Sequence, residues 1–172
     1  MSLDLNAVNI SLMLAASTLA GLVDAIVGGG GLIMVPSLFG LFPQALPATL
    51  LGTNKAASVW GTSLATWQYS RKVEMPWASL LPAAAVCLLG AWSGAWAVTQ
   101  VSPEMLRKAL PLVLALVLAY TLARKDLGRT HQPRFAGRRQ TAVASAIALC
   151  IGFYDGFFGP GTGSFFVFLF VR

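Results

Sequence analysis

Charge is scarce in this chain. Lysine, arginine, aspartate and glutamate make up 10% of its 172 residues, against about a quarter in a soluble globular domain. With 56% hydrophobic residues and a mean hydropathy of +0.72, that scarcity excludes an ordinary water-facing surface and points to a membrane protein. Cysteine is nearly absent too: Cys87 and Cys150 each stand alone in apolar sequence, which excludes a disulfide framework and a cysteine metal motif. The one histidine, His131, lies among basic residues and reads as solvated rather than as a ligand. Nothing resembles a nucleophile with a base, a metal site or a nucleotide loop, so neither enzyme chemistry nor a cofactor is expected. Long polar stretches are also missing. The longest, Arg124 to Gln140, is a loop and leaves no soluble domain. The start, Met1-Ser2-Leu3-Asp4, lacks a basic n-region and no small-residue cleavage site follows, so no removable signal peptide is expected.

What charge there is lies unevenly. The formal net charge of +6 suggests nucleic-acid binding at first sight, but six of the twelve basic residues (Arg124, Lys125, Arg129, Arg134, Arg138, Arg139) fall in that one loop between apolar spans. This is a topology signal, and nucleic acid is not an expected partner. Arg71 and Lys72 precede the loop by two helices, which places both basic segments on one face, cytoplasmic by the positive-inside rule. Arg107 and Lys108 fall near the other face and dissent mildly. Trp67, Tyr69 and Trp77 at one end, and Trp92 and Trp96 towards the other, form an aromatic belt. Asp4 without a neighbouring base weakly favours a periplasmic N-terminus.

A spanning helix needs about 20 mostly apolar residues. Val8 to Val27 meets that length and stops at Gly28-Gly29-Gly30-Gly31; Leu32 to Phe42 is apolar but half as long and contains Pro36. Together they predict a helix, a break and a half-helix, a discontinuous or re-entrant element. Further helices are expected over Pro47 to Ser70, Trp77 to Val101, Met105 to Ala123 and Thr141 to Phe158, with a second half-helix over Gly163 to Val171. The expected class is therefore an all-α polytopic membrane protein with broken helices. Its parts are a first transmembrane repeat (1–123), a basic cytoplasmic loop (124–140) and the start of a second repeat (141–172).

The repeat is visible in a spaced pattern. Gly21-Leu22-Val23-Asp24-Ala25-Ile26-Val27-Gly28-Gly29-Gly30 returns as Gly152-Phe153-Tyr154-Asp155-Gly156-Phe157-Phe158-Gly159-Pro160-Gly161, 131 residues later. If the N-terminus is periplasmic, the two copies enter from opposite sides, an inverted repeat of the kind that carriers use.

Within the spans the ionisable groups are Asp24, Lys55 and Asp155, and each costs a few kcal/mol at a helix centre, so each needs a reason. Asp24 precedes its glycine break by four residues. Its carboxylate either caps N–H groups freed at the break or couples protons or cations. We take the capping reading, and the same for Asp155. Gly28 to Gly31 is either a tight hairpin or a loop whose following half-helix aims its N–H groups at an anion. Its duplication as Gly159-Pro160-Gly161-Thr162-Gly163, with hydroxyls at Thr162 and Ser164, favours the anion. The helix from Pro47 is unusually polar. Thr49, Thr53, Asn54, Lys55, Ser58, Thr62, Ser63 and Thr66 lie along it, while Ala57, Gly61 and Ala65 form a small-residue face suited to close packing. Lys55 stands about 12 Å along the helix from Pro47, at ~1.5 Å per residue. It either snorkels to the interface or holds an anionic substrate with Thr53 and Asn54, and the continuing polar stripe favours the second reading. Trp60 is expected to pack rather than to stack on a ligand.

The string AGLVDAIVGGGGLIMVPSL, followed by GTNKAAS at Gly52 to Ser58, resembles the sulfite exporter TauE/SafE family of membrane permeases, and IGFYDGFFGPGTGSFFVF resembles the opening of that family's second half. The resemblance implies a multi-pass bacterial inner-membrane carrier, eight helices in two halves, moving sulfite, sulfonates or related sulfur-containing anions. The repeat offset maps Arg172 onto Leu41. The expectation is therefore an incomplete form, lacking the second Thr-Asn-Lys-like segment and needing a second chain or further helices to complete the pore. The alternatives are a passive anion channel and a non-transporting membrane fragment or half-transporter that needs a partner.

Overall fold

A computed structural model describes residues 6–74, 77–123, 138–163 and 165. The described residues are all-helical, in six helices: α1 Ala7–Val27, α2 Gly31–Leu41, α3 Pro47–Ser70, α4 Trp77–Gln100, α5 Pro103–Ala123 and α6 Arg138–Phe157. All but Gly163 and Phe165 of the half-helix expected over 163–171, and most of the basic loop with His131, lie outside the described residues.

The helix ends follow local chemistry. Asn6 caps α1 by accepting from the Asn9 N–H at 2.8 Å. Gly28 ends α1 in the left-handed region at φ 72°, where its N–H donates to Asp24 O; only glycine adopts that conformation without a Cβ penalty. α3 begins on Pro47, whose missing N–H falls where no helical partner exists. α5 starts two residues before the predicted Met105. Ser102 accepts from the Met105 N–H through its hydroxyl, and Pro103 and Glu104 suit a first turn. α6 starts at Arg138, so Arg138 to Gln140 of the basic stretch form its first turn.

Two helices are long and apolar enough by themselves to cross a bilayer among the described residues, Ala7–Ile26 and Leu80–Gln100. α3 and α5 have the length, at 24 and 21 residues, but carry more polar side chains. Large apolar groups point outward along α1 (Val8, Leu14, Leu22, Ile26) and α4 (Leu81, Leu88, Trp92, Trp96), as expected of surfaces facing lipid. Arg71 stacks its guanidinium 4.1 Å from the Trp67 ring centroid, pairing a cation with an aromatic at the end of α3.

α2 folds back on α1. A Cβ added to Gly30 would lie 2.6 Å from Ala20 O and 2.7 Å from Asp24 Cβ, so only glycine allows the close approach. Ala20, Met34, Leu38, Phe42, Ala45 and Leu50 fill one small core, and Val35, Leu51, Val98, Leu106 and Leu110 fill a second between α2, α3, α4 and α5. Arg107 ties α5 to the α2–α3 turn, donating to Ala45 O at 2.6 Å with its guanidinium 5.5 Å from the Phe39 ring.

The tightest packing joins α4 to α6. Gly90 and Gly94 on α4 lie against the backbone of Leu149, Phe153 and Phe157, and Gly152 and Gly156 on α6 lie against the carbonyls of Cys87 and Ala91. Each helix thus offers two glycines four residues apart to its partner's carbonyls, a small-residue contact suited to lipid, where apolar burial gives helices no drive to associate. Contacts advance in the same direction on both helices, so α4 and α6 run parallel. The basic turn after α3, Arg71 and Lys72, and the first turn of α6, Arg138 and Arg139, therefore lie at one end. The small-residue face expected to pack, Ala57, Gly61 and Ala65, is exposed; nothing described lies within 4 Å of a Cβ on Gly61. Trp60 is 78% exposed, not packed as expected.

Candidate functional site at the two helix breaks

The two glycine breaks meet. A Cβ built on Gly31 would lie 3.3 Å from Pro160 Cα and 3.9 Å from Asn54 Nδ2, and one on Gly163 would lie 3.3 Å from Gly28 O. α3 passes the same place. Asn54 is 8% exposed there, and a Cβ on Gly159 would stand 2.6 Å from Lys55 Cε and Nζ. Gly161 faces Val117 of α5. Segments far apart in sequence therefore converge on Asn54 and Lys55. Thr53 points away, exposed, with its hydroxyl donating to Thr49 O at 2.9 Å.

The aspartates, read from sequence as equivalent, do different things. Asp24 Oδ1 accepts from the Gly30 N–H at 2.8 Å, across the first break. Asp155 instead forms an ion pair with Lys55, its Oδ1 accepting from Nζ. The second break is braced by other groups. The Tyr154 hydroxyl donates to Pro160 O at 2.8 Å, and the Thr162 hydroxyl donates to Gly159 O at 2.6 Å. Repeat alignment places Val23 opposite Tyr154 and Gly31 opposite Thr162. The second copy thus has two hydroxyls that the first lacks, and they take over the bracing. Gly159 and Gly161 adopt φ 86° and 80°, conformations glycine enters without strain.

Several groups expected to face an anion are occupied within the chain. The Gly28 N–H donates to Asp24 O and the Gly30 N–H to Asp24 Oδ1. Thr162, buried, spends its hydroxyl on Gly159 O. Gly29 is half-buried at the turn. Farther along α3, the hydroxyls of Ser58, Thr62 and Thr66 donate to carbonyls three or four residues back, as hydroxyls in helices do. The polar groups that converge are Lys55, Asn54 and Asp155. The Lys55–Asp155 pair was missed from sequence. The available signal was one base and two acids in the spans, since pairing lowers the cost of both charges.

If the Asp24 carboxylate braces the first break, Asp24→Ala should lower stability by about 1 kcal/mol, the worth of one capping bond. Asp24→Asn, which keeps an acceptor oxygen, should restore most of it. Thermal melting in detergent reads both, and equal losses in the two variants would show that charge rather than the bond matters.

Residues 13–172 match the family model described as Sulfite exporter TauE/SafE. The chain is 36% identical over 164 residues to the probable membrane transporter protein ORF9 of Sinorhizobium sp, covering 94% of this chain and 60% of the relative. It is 36% identical over 154 residues to the probable membrane transporter protein YfcA of Escherichia coli K12, covering 89% of this chain and 55% of the relative. A probable membrane transporter protein of Haemophilus influenzae is 31% identical over 155 residues, 90% of this chain and 59% of that protein. The chain thus spans somewhat over half the length of these curated relatives. No solved structure matches it. Twin broken helices, the Asn54-Lys55 segment and these likenesses agree: the chain belongs to the TauE/SafE family of membrane transporters.

Proposed function

We propose that the protein forms part of a multi-pass carrier in a bacterial inner membrane that moves a small anion unaltered, with sulfite, sulfonates and related sulfur-containing anions as the substrate class. The observation supporting this reading is the convergence of both glycine breaks on Lys55 and Asn54. A cation and an amide donor at a partly open junction of broken helices suit an oxyanion. The family description, sulfite exporter, supports the sulfur oxyanion class by likeness. Lys55 supplies the charge, Asn54 a neutral donor, and the glycines allow the close backbone approach that brings both breaks to these two residues. Thr53 and Thr162 join the site only if their present hydrogen bonds exchange. The outward apolar faces of α1 and α4 contact lipid, and helices equivalent to the second half of the relatives, in the same chain or a second one, complete the pathway.

The detergent-purified protein should bind sulfite and methanesulfonate saturably and ignore neutral methanesulfonamide, as measured by calorimetry. Equal binding of the sulfonate and the sulfonamide, or no saturable binding of either anion, removes the anion reading. With the completing helices present, counterflow in proteoliposomes distinguishes a carrier from a passive channel, which shows none.

A further inference from the structure

Asp155 places a negative charge on the lysine that an anion would need. Its side chain is 32% exposed and that of Lys55 34%, so the described residues do not seal the pair off. Its counterpart Asp24 is committed to a backbone N–H, whereas Tyr154 and Thr162 relieve Asp155 of that task. A carboxylate freed from bracing and turned to Lys55 occupies the position of a substrate anion.

We infer that Asp155 is a tethered competitor for Lys55, displaced by the incoming anion as its carboxylate takes up a proton, so that anion and proton move together. This inference rests on the anion reading above. Lys55 cannot stabilise two adjacent negative charges in a partly desolvated site as well as it stabilises one, and a second negative charge beside Asp155 favours its neutral form. The proton comes from the aqueous phase that delivers the anion, resides on the Asp155 carboxyl while Lys55 holds the substrate, and leaves when the ion pair reforms. The groups facing Asp155 are Lys55 on α3, Cys87 on α4 and Tyr154 beside it on α6. α5 presents Val117 to the adjoining break, α2 begins there at Gly31, and the Asp24 carboxylate of α1 holds the Gly30 N–H. Lys55 is the cation among these, so its choice of partner sets the charge of Asp155.

The probe is methanesulfonate, which does not itself titrate near neutrality. Its affinity for the protein should rise as pH falls, and calorimetry in two buffers of different ionisation enthalpy should register uptake approaching about one proton per anion. Asp155→Asn should bind about tenfold more tightly near neutral pH, since the competing state is removed. It should do so with no proton uptake and little dependence on pH. Binding without proton uptake by the unaltered protein overturns the inference while leaving the anion reading intact. Folded Asp155→Asn that binds no more tightly than the unaltered protein does the same, and assigns the pair a structural role. If Asp155→Asn does not fold, the proton count on the unaltered protein decides alone. Failure of the unaltered protein to bind the anion at all removes both readings.

Discussion

Gly156→Leu is expected to destabilise the protein by about 3 kcal/mol or more, at the upper end of core overpacking, because the obstructing atoms cannot move aside. A Cβ on Gly156 would run into Ala91 O and lie 2.7 Å from the Ala91 carbonyl carbon, so backbone meets it rather than the end of a flexible side chain. The helices must then separate. Gly152 on the same face meets the Cys87 carbonyl, and Gly90 and Gly94 meet α6 reciprocally, so one added side chain loosens the whole contact. Separation also forfeits the close carbonyl approaches that give such helix pairs their attraction in lipid. Gly61→Leu is the control. Nothing lies within 4 Å of its Cβ, and leucine is the better helix former by up to ~1 kcal/mol, so stability should hold or rise slightly. Thermal melting in detergent separates the two. If Gly156→Leu melts with the unaltered protein, the α4–α6 contact is not what holds α6 in place.

Lys55→Ala should weaken methanesulfonate binding by about 10-fold to 100-fold, the worth of one charged hydrogen bond. It should also destabilise the fold, because Asp155 loses its cation. A pair about one-third exposed on each side lies between a surface ion pair and a buried one, which puts the stability loss at about 1–3 kcal/mol. The double variant Lys55→Ala/Asp155→Asn isolates the cause. Removing the stranded charge should return most of the stability but none of the anion affinity. Stability that stays low in the double variant would mean that Lys55 contributes through its packing against Gly159 rather than through charge. Anion affinity that survives Lys55→Ala would take Lys55 out of the site.

Much of the architecture was legible before the structure because its causes are local. The extents of α1, α2 and α3 follow from where apolar runs meet glycine or proline, and Pro47 and Gly28 mark their boundaries unambiguously. The start of α5 was misjudged because Ser102 acts through a cap, which the apolar run does not reveal. The small-residue face of α3 has no neighbour among the described residues, in a chain that spans 55–60% of the relatives it matches. Small residues at helical spacing show that a helix can approach another closely, not that a neighbour is there. Ala57, Gly61 and Ala65 have the spacing, but Gly90, Gly94, Gly152 and Gly156 have the partner. The hydroxyl stripe carries no ligand signal by itself, since a helical serine or threonine satisfies itself on its own backbone.

By itself the sequence determined that this is a membrane protein, that its first broken helix occurs twice, and that a lysine and two aspartates must be accommodated in apolar surroundings. Composition and spacing suffice for that, because the cost of charge in lipid and the helix-breaking effect of glycine act on each segment independently. Which aspartate meets Lys55 was decided only in three dimensions. α2 folds straight back on α1, bringing the Gly30 N–H onto Asp24 and satisfying it. α3 passes the end of α6 instead, where Tyr154 and Thr162 brace the break and leave Asp155 to the lysine. Two motifs of the same spacing thus differ in chemistry because one closes on itself and the other is crossed by a third helix, a contact between residues 100 apart in the chain.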